Sequence, residues 1–331
     1  MNILVTGSEG FIGSHLVERL VLNGHKVKCV VLYNSFNNYG WLETLDKNIT
    51  KNLEFCFGDI RDPHFVKNSM KKCDSVMHLA ALIGIPYSYI SPKSYVDTNV
   101  SGTLNILQSA RELNIEKIIH TSTSEVYGSS QFIPITEKHP LNGQSPYSAT
   151  KIAADQLANS YHLSYGVPVI TLRPFNTYGP RQSLRAIIPT IICQILSGKK
   201  TIKLGSLKPT RDFTYISDTV SAFLKALKSK NAIGKTINIG SGYEISIKDL
   251  IKVITDQAGR KINVITDSKR VRPDRSEVNR LCCSNKLAKN ILNWEPSFKG
   301  KFGLAKGIKS TLKWYSIKEN LKKYKPHNFT F

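Results

Sequence analysis

Cysteine and histidine are sparse in this sequence, and neither forms a cluster. The six cysteines, at positions 29, 56, 73, 193, 282 and 283, contain no CxxC spacing, and the eight histidines are scattered. The adjacent Cys282 and Cys283 suit neither an ordinary disulfide nor a tetrahedral zinc site. We therefore expect reduced, mostly buried thiols and no bound metal.

Long apolar runs are also missing. No stretch reaches the roughly 18 residues that a membrane-spanning helix needs. The chain starts with MNILVTG, a strand pattern, and shows no charged n-region, apolar h-region or cleavage site. We expect a cytoplasmic protein with no membrane partner. Its 331 residues, 41% of them hydrophobic, are enough for a sizeable core.

Acidic residues are few. The chain has 24 Asp and Glu against 46 Lys and Arg, a formal net charge of +22. Such an excess can mark a nucleic-acid-binding protein. Here the lysines are scattered, apart from the run KENLKKYKPH at 318–327, and no nucleic-acid-binding motif is present. We interpret the charge as a solvated surface whose field favours an anionic substrate, with no nucleic-acid partner.

The first half of the chain alternates between strand and helix patterns. Continuous apolar runs such as NILVT at 2–6 are typical of strands buried on both faces of a sheet. The spacing predicts strands at 2–6, 26–33, 53–59, 74–81, 116–123 and 168–174, and helices at 10–24, 101–114 and 149–165. This alternation is typical of an α/β fold with a doubly wound (Rossmann) parallel sheet.

The alternation loosens after about residue 175, where a helical pattern at 246–259 mixes with short strands and loops. We predict a dinucleotide-binding domain over residues 1–175 and a smaller C-terminal α/β substrate lobe over 176–331. A segment at about 208–240 is expected to return to the first domain.

A glycine-rich turn, TGSEGFIG, joins the first strand to the first helix. Gly7, Gly10 and Gly13 let the backbone turn tightly and approach a pyrophosphate, and the helix N-terminus then offers free N–H groups. The spacing is GxxGxxG rather than GxGxxG. The turn predicts dinucleotide binding, with Phe11 and Ile12 among the contacts.

The second strand lacks the acidic residue that commonly binds the adenosine ribose of NAD. The chain reads LYNSFNN at 32–38, with Asn34 as a polar candidate, so the choice between NAD and NADP stays open. After the third strand, GDIRD at 58–62 brings Asp59 and Ile60 to the expected adenine site. Asp62 fits a turn or helix cap equally well.

Two segments carry the expected chemistry: TSTSEVYG at 121–128 and PYSATK at 146–151. Tyr147 and Lys151 are four residues apart, so on a helix they face the same side. A nearby ammonium and a positive nicotinamide ring would favour the phenolate, which makes Tyr147 a candidate base. Alternatively, the hydroxyls at 121–123 end a strand and Glu125 caps a helix.

These motifs, together with HLAA at 78–81, resemble the extended short-chain dehydrogenase/reductase family of nucleotide-sugar epimerases, decarboxylases and 4,6-dehydratases. The resemblance continues in RPFNTYGPRQ, PTRDFTYISD, INIGSG and RPDRSEVNRL. Segments 32–43, 81–105 and 185–192 are most similar to the dehydratases of bacterial legionaminic acid synthesis, which act on nucleotide-linked N-acetylglucosamine, commonly the GDP form. The family implies NAD or NADP, and Leu79, Ala80 and Ala81 as cofactor contacts.

The resemblance also implies roles in 4,6-dehydration. Tyr147 takes the C4 hydroxyl proton, and Lys151 lowers the pKa of Tyr147 and holds the ribose. Thr123 hydrogen-bonds the C4 oxygen, and Glu125 moves a proton from C5 to the departing C6 hydroxyl. Ser124 stands where dTDP-glucose dehydratases have Asp and GDP-mannose dehydratases have Ser. Glu125 alone, or a water held by Ser124, therefore supplies the second proton.

Three alternatives stay open. A UDP-glucuronate decarboxylase shares the central motif, and only the segments 32–43 and 81–105 favour dehydration over it. A 4-epimerase needs no base at C5, so Glu125 would have no role there. A non-catalytic NAD(P)-binding regulator would use the basic surface to bind nucleic acid.

The family also implies substrate contacts and a dimer. Arg211 and Arg272 match its diphosphate and ribose contacts, Asn176 resembles its phosphate contact, and Arg185 is a weaker candidate. Glu277 touches the nucleoside or pairs with an arginine. Residues 83–89, with Ile83 and Tyr87, are expected to line the sugar pocket. The helices at 101–114 and 149–165 are expected to form a four-helix bundle in a homodimer.

Overall fold

A computed structural model describes residues 1–324. Residues 325–331, the end of the predicted substrate lobe and of the lysine-rich run, lie outside the described part. The strands are β1 (Asn2–Thr6), β2 (Lys26–Leu32), β3 (Leu53–Gly58), β4 (Ser75–His78), β5 (Lys117–Thr121), β6 (Val169–Pro174), β7 (Thr177–Tyr178), β8 (Thr201–Leu204), β9 (Thr210–Asp212), β10 (Thr214–Tyr215), β11 (Thr236–Ile239), β12 (Glu244–Ser246) and β13 (Asn263–Thr266).

The helices alternate with these strands. They are α1 (Phe11–Leu22), α2 (Lys47–Thr50), α3 (Pro63–Met70), α4 (Ile85–Ile90), α5 (Pro92–Tyr95), α6 (Gly102–Glu112), α7 (Pro146–Tyr165), α8 (Ile187–Leu196), α9 (Ile216–Lys228), α10 (Ile247–Ala258), α11 (Lys286–Leu292), α12 (Gly300–Tyr315) and α13 (Lys318–Leu321). A π-helical segment (Val96–Ser101) precedes α6. Among the described residues, no helix combines the length and apolar character that crossing a bilayer requires.

Seven strands form one parallel sheet in the order β11-β6-β5-β4-β1-β2-β3. Side chains of one strand alternate between its faces: Ile3 and Val5 of β1 enter one apolar core, whereas Leu4 enters the other. The strand order reverses between β1 and β4, which is the switch point where ligands bind in such sheets. The predicted doubly wound sheet is confirmed.

A separate apolar core belongs to the C-terminal part of the chain. Helices α8, α10 and α12 meet there through residues such as Ile191, Leu250 and Ile308, together with the parallel pair of β8 and β13. The chain also returns to the large sheet: β11 pairs with β6, and α9 packs in the same core as α1. The buried Trp294, after α11, joins that core too, outside the predicted return segment. The division into two domains stays a prediction.

Local sequence explains the start of α7, which carries two candidate catalytic residues. Ser145 caps the helix by accepting from the Ser148 amide, and the Ser148 hydroxyl accepts in return from the Ser145 amide. Pro146 occupies the first turn, where its missing N–H is tolerated. The helix therefore begins three residues earlier than predicted, and Tyr147 lies in its first turn with Lys151 one turn later.

Candidate active site

A cavity of about 1280 Å³ lies at the carboxyl ends of the sheet strands. Its walls come from the segments that follow β1, β2, β3, β4, β5 and β6 and from loops of the C-terminal part. It brings together nearly all the predicted site residues: Gly7, Gly10, Phe11, Ile12, Gly13, Asp59, Ile60, Leu79, Ala80, Ala81, Ile83, Tyr87, Thr123, Ser124, Glu125, Tyr147, Lys151, Asn176, Arg185, Arg211, Arg272 and Glu277.

The glycine-rich turn fits a dinucleotide. Gly7 has a φ of +66°, and a Cβ there would lie 2.8 Å from the Ala80 amide nitrogen. A Cβ on Gly13 would lie 2.1 Å from the Gly7 carbonyl oxygen. Only glycines permit this close packing, which exposes the backbone at the N-terminus of α1 to the cavity. The loop therefore has the open backbone surface that a pyrophosphate needs.

Asn34 is the one predicted cofactor residue that does not line the cavity. Its side-chain amide donates to the carbonyl oxygens of Leu32 and Asn38 and accepts from the Asn38 amide. These bonds hold the loop after β2 closed on itself. Asp59 does line the cavity, and its carboxylate accepts hydrogen bonds from the Arg61 guanidinium, which hold the pKa of Asp59 below its usual range.

The cavity wall also contains charged residues that were not predicted as contacts, among them Glu9, Glu43 and Lys323. Glu9 belongs to the glycine-rich turn, and its Oε1 accepts from the Leu32 amide at 3.0 Å. Glu43 accepts from the Tyr39 amide, and Lys323 lies over the Trp41 ring. The sequence offered one signal, and only for Glu9: an acidic residue stands inside the glycine-rich turn, while the usual acidic residue after β2 is missing.

Thr123, Glu125 and Tyr147 meet at the carboxyl end of β5. Thr123 begins a short 3₁₀ helix (Ser124–Tyr127), and its hydroxyl accepts from the Glu125 amide at 3.2 Å. Burial raises the pKa of Tyr147 well above its ordinary value; a hydrogen bond with Thr123 works against this rise, and the Glu125 charge adds to it. Ser124 is buried beside them and also lines the cavity.

The Lys151 ammonium donates a hydrogen bond to the Thr121 carbonyl oxygen at 2.7 Å. Burial lowers the pKa of Lys151 to about 8, although the nearby Asp155 carboxylate opposes the shift. We expected Lys151 to lower the pKa of Tyr147. In the described residues burial outweighs any such effect, because the ammonium is bonded to the backbone rather than to the phenol.

Two arginines and two carboxylates of the cavity wall form a charged cluster: Arg211, Arg272, Glu125 and Glu277. Arg211 is buried, and its guanidinium donates to Glu277 at 3.0 Å and to the Thr210 carbonyl oxygen at 2.9 Å. The Nη1 of Arg272 lies 3.9 Å from Glu125 and 3.8 Å from Glu277. This buried Nη1 makes no hydrogen bond with any described residue. Glu277 thus pairs with arginines, one of the two predicted alternatives.

The remaining substrate candidates lie along the same cavity. Residues 83–87 line it, whereas Tyr89 turns away and its hydroxyl bonds to Ser276 at 2.5 Å. Arg185 is exposed beside Ser183, and Asn176 has a buried side-chain oxygen without a hydrogen-bond partner in residues 1–324. Across that same range, no group of three His, Cys, Asp or Glu side chains is arranged to hold a metal ion.

A buried polar network supports the site from behind. The carboxylate of Asp155, one turn after Lys151, accepts from Arg173 at 2.9 Å, from Ser122 at 2.7 Å and from His120 at 3.1 Å. Burial alone would raise the pKa of Asp155, but these donors hold it below its usual range. The network fixes β5, β6 and α7 to one another, and so fixes the end of β5 that carries Thr123.

Known proteins match this chain along most of its length. The family model described as GDP-mannose 4,6 dehydratase matches residues 4–307. The chain is 34% identical to dTDP-D-glucose 4,6-dehydratase of Homo sapiens, covering 98% of this chain and 91% of the relative. It is 32% identical to UDP-glucose 4-epimerase of Mycolicibacterium smegmatis, covering 96% and 99%.

A solved structure agrees with these matches. UDP-glucuronic acid 4-epimerase from Bacillus cereus, in complex with UDP-glucuronic acid and NAD, has a TM-score of 0.85 and 30% identity. The match covers 98% of this chain and 99% of that one. Dehydratases and 4-epimerases are therefore both among the proteins that this chain resembles.

Proposed function

Because the chain belongs to the family of nucleotide-sugar epimerases and dehydratases, the extended short-chain dehydrogenases/reductases, we propose that it is a nucleotide-sugar 4,6-dehydratase. The observation that carries the proposal is the position of Glu125, whose carboxylate lines the cavity close to Thr123 and Tyr147. Removal of the C5 proton requires such a base, whereas inversion at C4 does not.

We further propose GDP-N-acetylglucosamine as the substrate. Segments 32–43, 81–105 and 185–192, which resemble the legionaminic acid dehydratases, support this choice. The charged cluster supports a diphosphate, because Arg211 is buried and Arg272 has a buried Nη1 without a hydrogen-bond partner in the described residues. An arginine in such a setting binds phosphate oxygens strongly, since its N–H groups match their geometry.

The cofactor proposal is NAD, which the Bacillus cereus neighbour binds, with NADP as the alternative. When bound, the nicotinamide supplies a hydride acceptor for C4 and the hydride that returns to C6. Tyr147, as the phenolate that the positive charge of a bound nicotinamide would favour, takes the proton of the C4 hydroxyl, and Thr123 donates a hydrogen bond to the resulting C4 oxygen. Glu125 removes the C5 proton and delivers it to the C6 oxygen, which leaves as water; once the hydride has returned to C6, Glu125 passes a solvent proton back to C5. Lys151 holds Tyr147 in register through helix α7.

A 4-epimerase is the second candidate, favoured by the 32% identity to the Mycolicibacterium smegmatis enzyme and by the Bacillus cereus structure. In that reaction Tyr147 and Thr123 keep their roles at C4, and the sugar rotates before the hydride returns. Glu125 then has no proton to move. The two reactions therefore differ in one measurable respect, the exchange of the C5 hydrogen with solvent.

The test is a panel of nucleotide-sugars incubated with the purified protein in D₂O and analysed by mass spectrometry and NMR. The dehydratase proposal predicts that GDP-N-acetylglucosamine loses one water and gains solvent deuterium at C5. Conversion without change in mass identifies a 4-epimerase, and release of CO₂ from UDP-glucuronate identifies a decarboxylase. Dehydration of another nucleotide-sugar alone would reject the substrate and retain the reaction.

We also propose a cytoplasmic homodimer formed by α6 and α7. Both helices expose large apolar side chains: Leu104 on α6, and Leu163 and Tyr165 on α7. A four-helix bundle of two copies would cover such residues. Light scattering coupled to size-exclusion chromatography should give twice the monomer mass, and Leu163→Glu should shift the population towards the monomer. A wild-type protein that remains monomeric at micromolar concentration would reject the dimer.

A further inference from the structure

Glu9 lies at the part of the cavity where a dinucleotide's adenosine ribose is expected. In doubly wound folds that ribose sits beside the carboxyl end of the second strand, where an acidic residue accepts its 2′-hydroxyl. Here β2 ends at Leu32, and the following residues 33–38 contain no Asp or Glu. The carboxylate of Glu9, from the glycine-rich turn, instead reaches this strand end and accepts from the Leu32 amide at 3.0 Å.

Neighbouring residues hold Glu9 in this position. Its carbonyl oxygen accepts from the Trp41 amide at 3.0 Å. Gly40, with a φ of +58°, packs so closely that a Cβ there would lie 2.7 Å from the same oxygen. The loop after β2 is thus built around Glu9, and Glu9, Gly40 and Trp41 all line the cavity.

The Glu9 carboxylate has unused capacity as an acceptor. Its Oε2 is buried and has no hydrogen-bond partner among the described residues. Burial raises the pKa of Glu9, and the amides of Leu32 and of Glu9 itself only partly offset the rise. A buried carboxylate is stabilised by any further donor. A ribose hydroxyl is such a donor, whereas a 2′-phosphate would bring like charge against the carboxylate.

The cations near this end of the cavity do not reverse that preference. Arg61 lies there, but its guanidinium is bonded to Asp59. Lys323 lies on the wall with its ammonium 5.7 Å from the centre of the Trp41 ring. Glu43 adds another carboxylate to the same wall. Because the Glu43 carboxylate is bonded to the Tyr39 amide, Glu9 is the carboxylate of this wall whose buried oxygen lacks a hydrogen-bond partner among the described residues.

We infer that Glu9 is a cofactor-specificity residue, which accepts the adenosine 2′-hydroxyl of NAD and disfavours the 2′-phosphate of NADP. Glu9 thereby replaces, from the glycine-rich turn, the acidic residue that β2 lacks. The inference rests on the dinucleotide part of the proposed function and does not depend on the sugar or on the reaction at C5. A purely structural Glu9, which only ties the loop to β2, is the competing explanation.

The test combines three nucleotides with two variants in calorimetric titrations of cofactor-free protein. The nucleotides are NAD⁺, NADP⁺ and NAD⁺ with hydrogen in place of the adenosine 2′-hydroxyl. Glu9→Gln keeps an oxygen for the Leu32 amide but removes the charge. Glu43→Gln removes a charge from the same wall and is the matched control, because its carboxylate is bonded to the Tyr39 amide. Thermal unfolding checks that each variant is folded.

We expect the wild type to bind the 2′-deoxy analogue about 10-fold or more weakly than NAD⁺. This factor is the loss of affinity that corresponds to losing one hydrogen bond to a charged group. In Glu9→Gln this loss should fall to about 2-fold, and the preference for NAD⁺ over NADP⁺ should fall about 10-fold or more. Glu43→Gln should keep both wild-type ratios. The wild-type protein should also release NAD rather than NADP when denatured and analysed by chromatography.

Several outcomes overturn the inference. The first is a wild-type protein that binds NADP⁺ as tightly as NAD⁺. The second is a loss of affinity for the 2′-deoxy analogue that is equal in the wild type and in Glu9→Gln. The third is a change in the preference for NAD⁺ over NADP⁺ that Glu43→Gln causes and Glu9→Gln does not. If Glu9→Gln does not fold, an unchanged affinity of the wild type for the 2′-deoxy analogue still overturns it. Failure to bind any of the three nucleotides would reject the proposed function itself.

Discussion

The ammonium of Lys151 and the carbonyl oxygen of Thr121 are joined by a 2.7 Å hydrogen bond. Thr121 is the last residue of β5, and Lys151 lies in the second turn of α7. The bond therefore ties the start of the helix to the strand end that leads to Thr123. Because Tyr147 precedes Lys151 by one turn, the same bond sets where the phenol meets Thr123 and Glu125.

Loss of the Lys151 proton should limit activity at alkaline pH. Burial lowers the pKa of Lys151 to about 8, so turnover should decrease as the pH rises through that value. Stability should change in the opposite direction. The pKa of Lys151 in the unfolded chain is about 10.4, so the unfolded chain binds more protons between about pH 8 and 10.4, and this group's contribution to stability rises there.

Paired measurements of the pH–rate profile and of thermal unfolding separate the two effects. Lys151→Arg keeps a positive charge at high pH and should move the alkaline limit upward, whatever its maximal rate. An alkaline limit at the same pH in Lys151→Arg would show that another group is responsible.

Replacing Glu125 by Gln should stop water loss while C4 oxidation continues. The amide cannot accept the C5 proton, so dehydration should fall by about 100-fold or more. The reduced nicotinamide should accumulate, and its near-ultraviolet absorbance measures this directly. Glu54→Gln, a change at an exposed carboxylate that pairs with Lys28, is the control and should turn over normally. Full dehydratase activity in Glu125→Gln would refute the assigned base.

Arg272→Ala should weaken binding of the nucleotide-sugar. Its buried Nη1 has no hydrogen-bond partner in residues 1–324 and lies between Glu125 and Glu277, so a diphosphate would supply the missing acceptors. We expect KM to rise about 10-fold or more, since a charged hydrogen bond is lost, while the content of bound dinucleotide stays constant. Arg280→Ala, at an arginine paired with Glu244 outside the main cavity, should leave KM unchanged. Equal effects of the two substitutions would contradict the assignment.

Asp155→Asn should strongly destabilise the fold. The substitution leaves the buried guanidinium of Arg173 without its charged partner, which corresponds to about 3–5 kcal/mol of unfolding free energy. Chemical denaturation measures this loss. Asp97→Asn breaks a surface pair with Lys93 and should change stability by less than about 1 kcal/mol. A loss at position 155 no larger than that at 97 would show that the network is dispensable.

Gly13→Ala and Gly10→Ala should differ in their effect on the stability of the cofactor-free protein. A Cβ at Gly13 would lie 2.1 Å from the Gly7 carbonyl oxygen, so the turn must open. At Gly10 the same contact is 3.3 Å and φ is −77°, so alanine needs only a small shift. We expect Gly13→Ala to lower the thermal unfolding temperature clearly more than Gly10→Ala does. Thermal unfolding without added nucleotide provides the measurement, and equal effects of the two substitutions would contradict the proposed close packing.

Much of the fold could be predicted because its signals are local. Buried parallel strands are continuous apolar runs such as 2–6, and the glycine-rich turn follows the first of them directly. Boundaries were less accurate where the chain leaves the sheet to form the site. β4 ends at His78 and β5 at Thr121, each short of its predicted end, because the following residues line the cavity instead of pairing with strands.

The sequence by itself determined the dinucleotide loop, the Tyr147–Lys151 pair on one helix face and the residues that follow each strand. These features depend on hydrogen bonds and spacings within a few residues, which the order of amino acids states directly. Only the tertiary structure decided that Arg272 lies against Glu125, that Lys151 bonds to Thr121 and that Glu9 reaches the end of β2. Such contacts join residues that are remote in the chain. They arise from the packing of whole strands and helices, and the local spacing of residue types does not predict that packing.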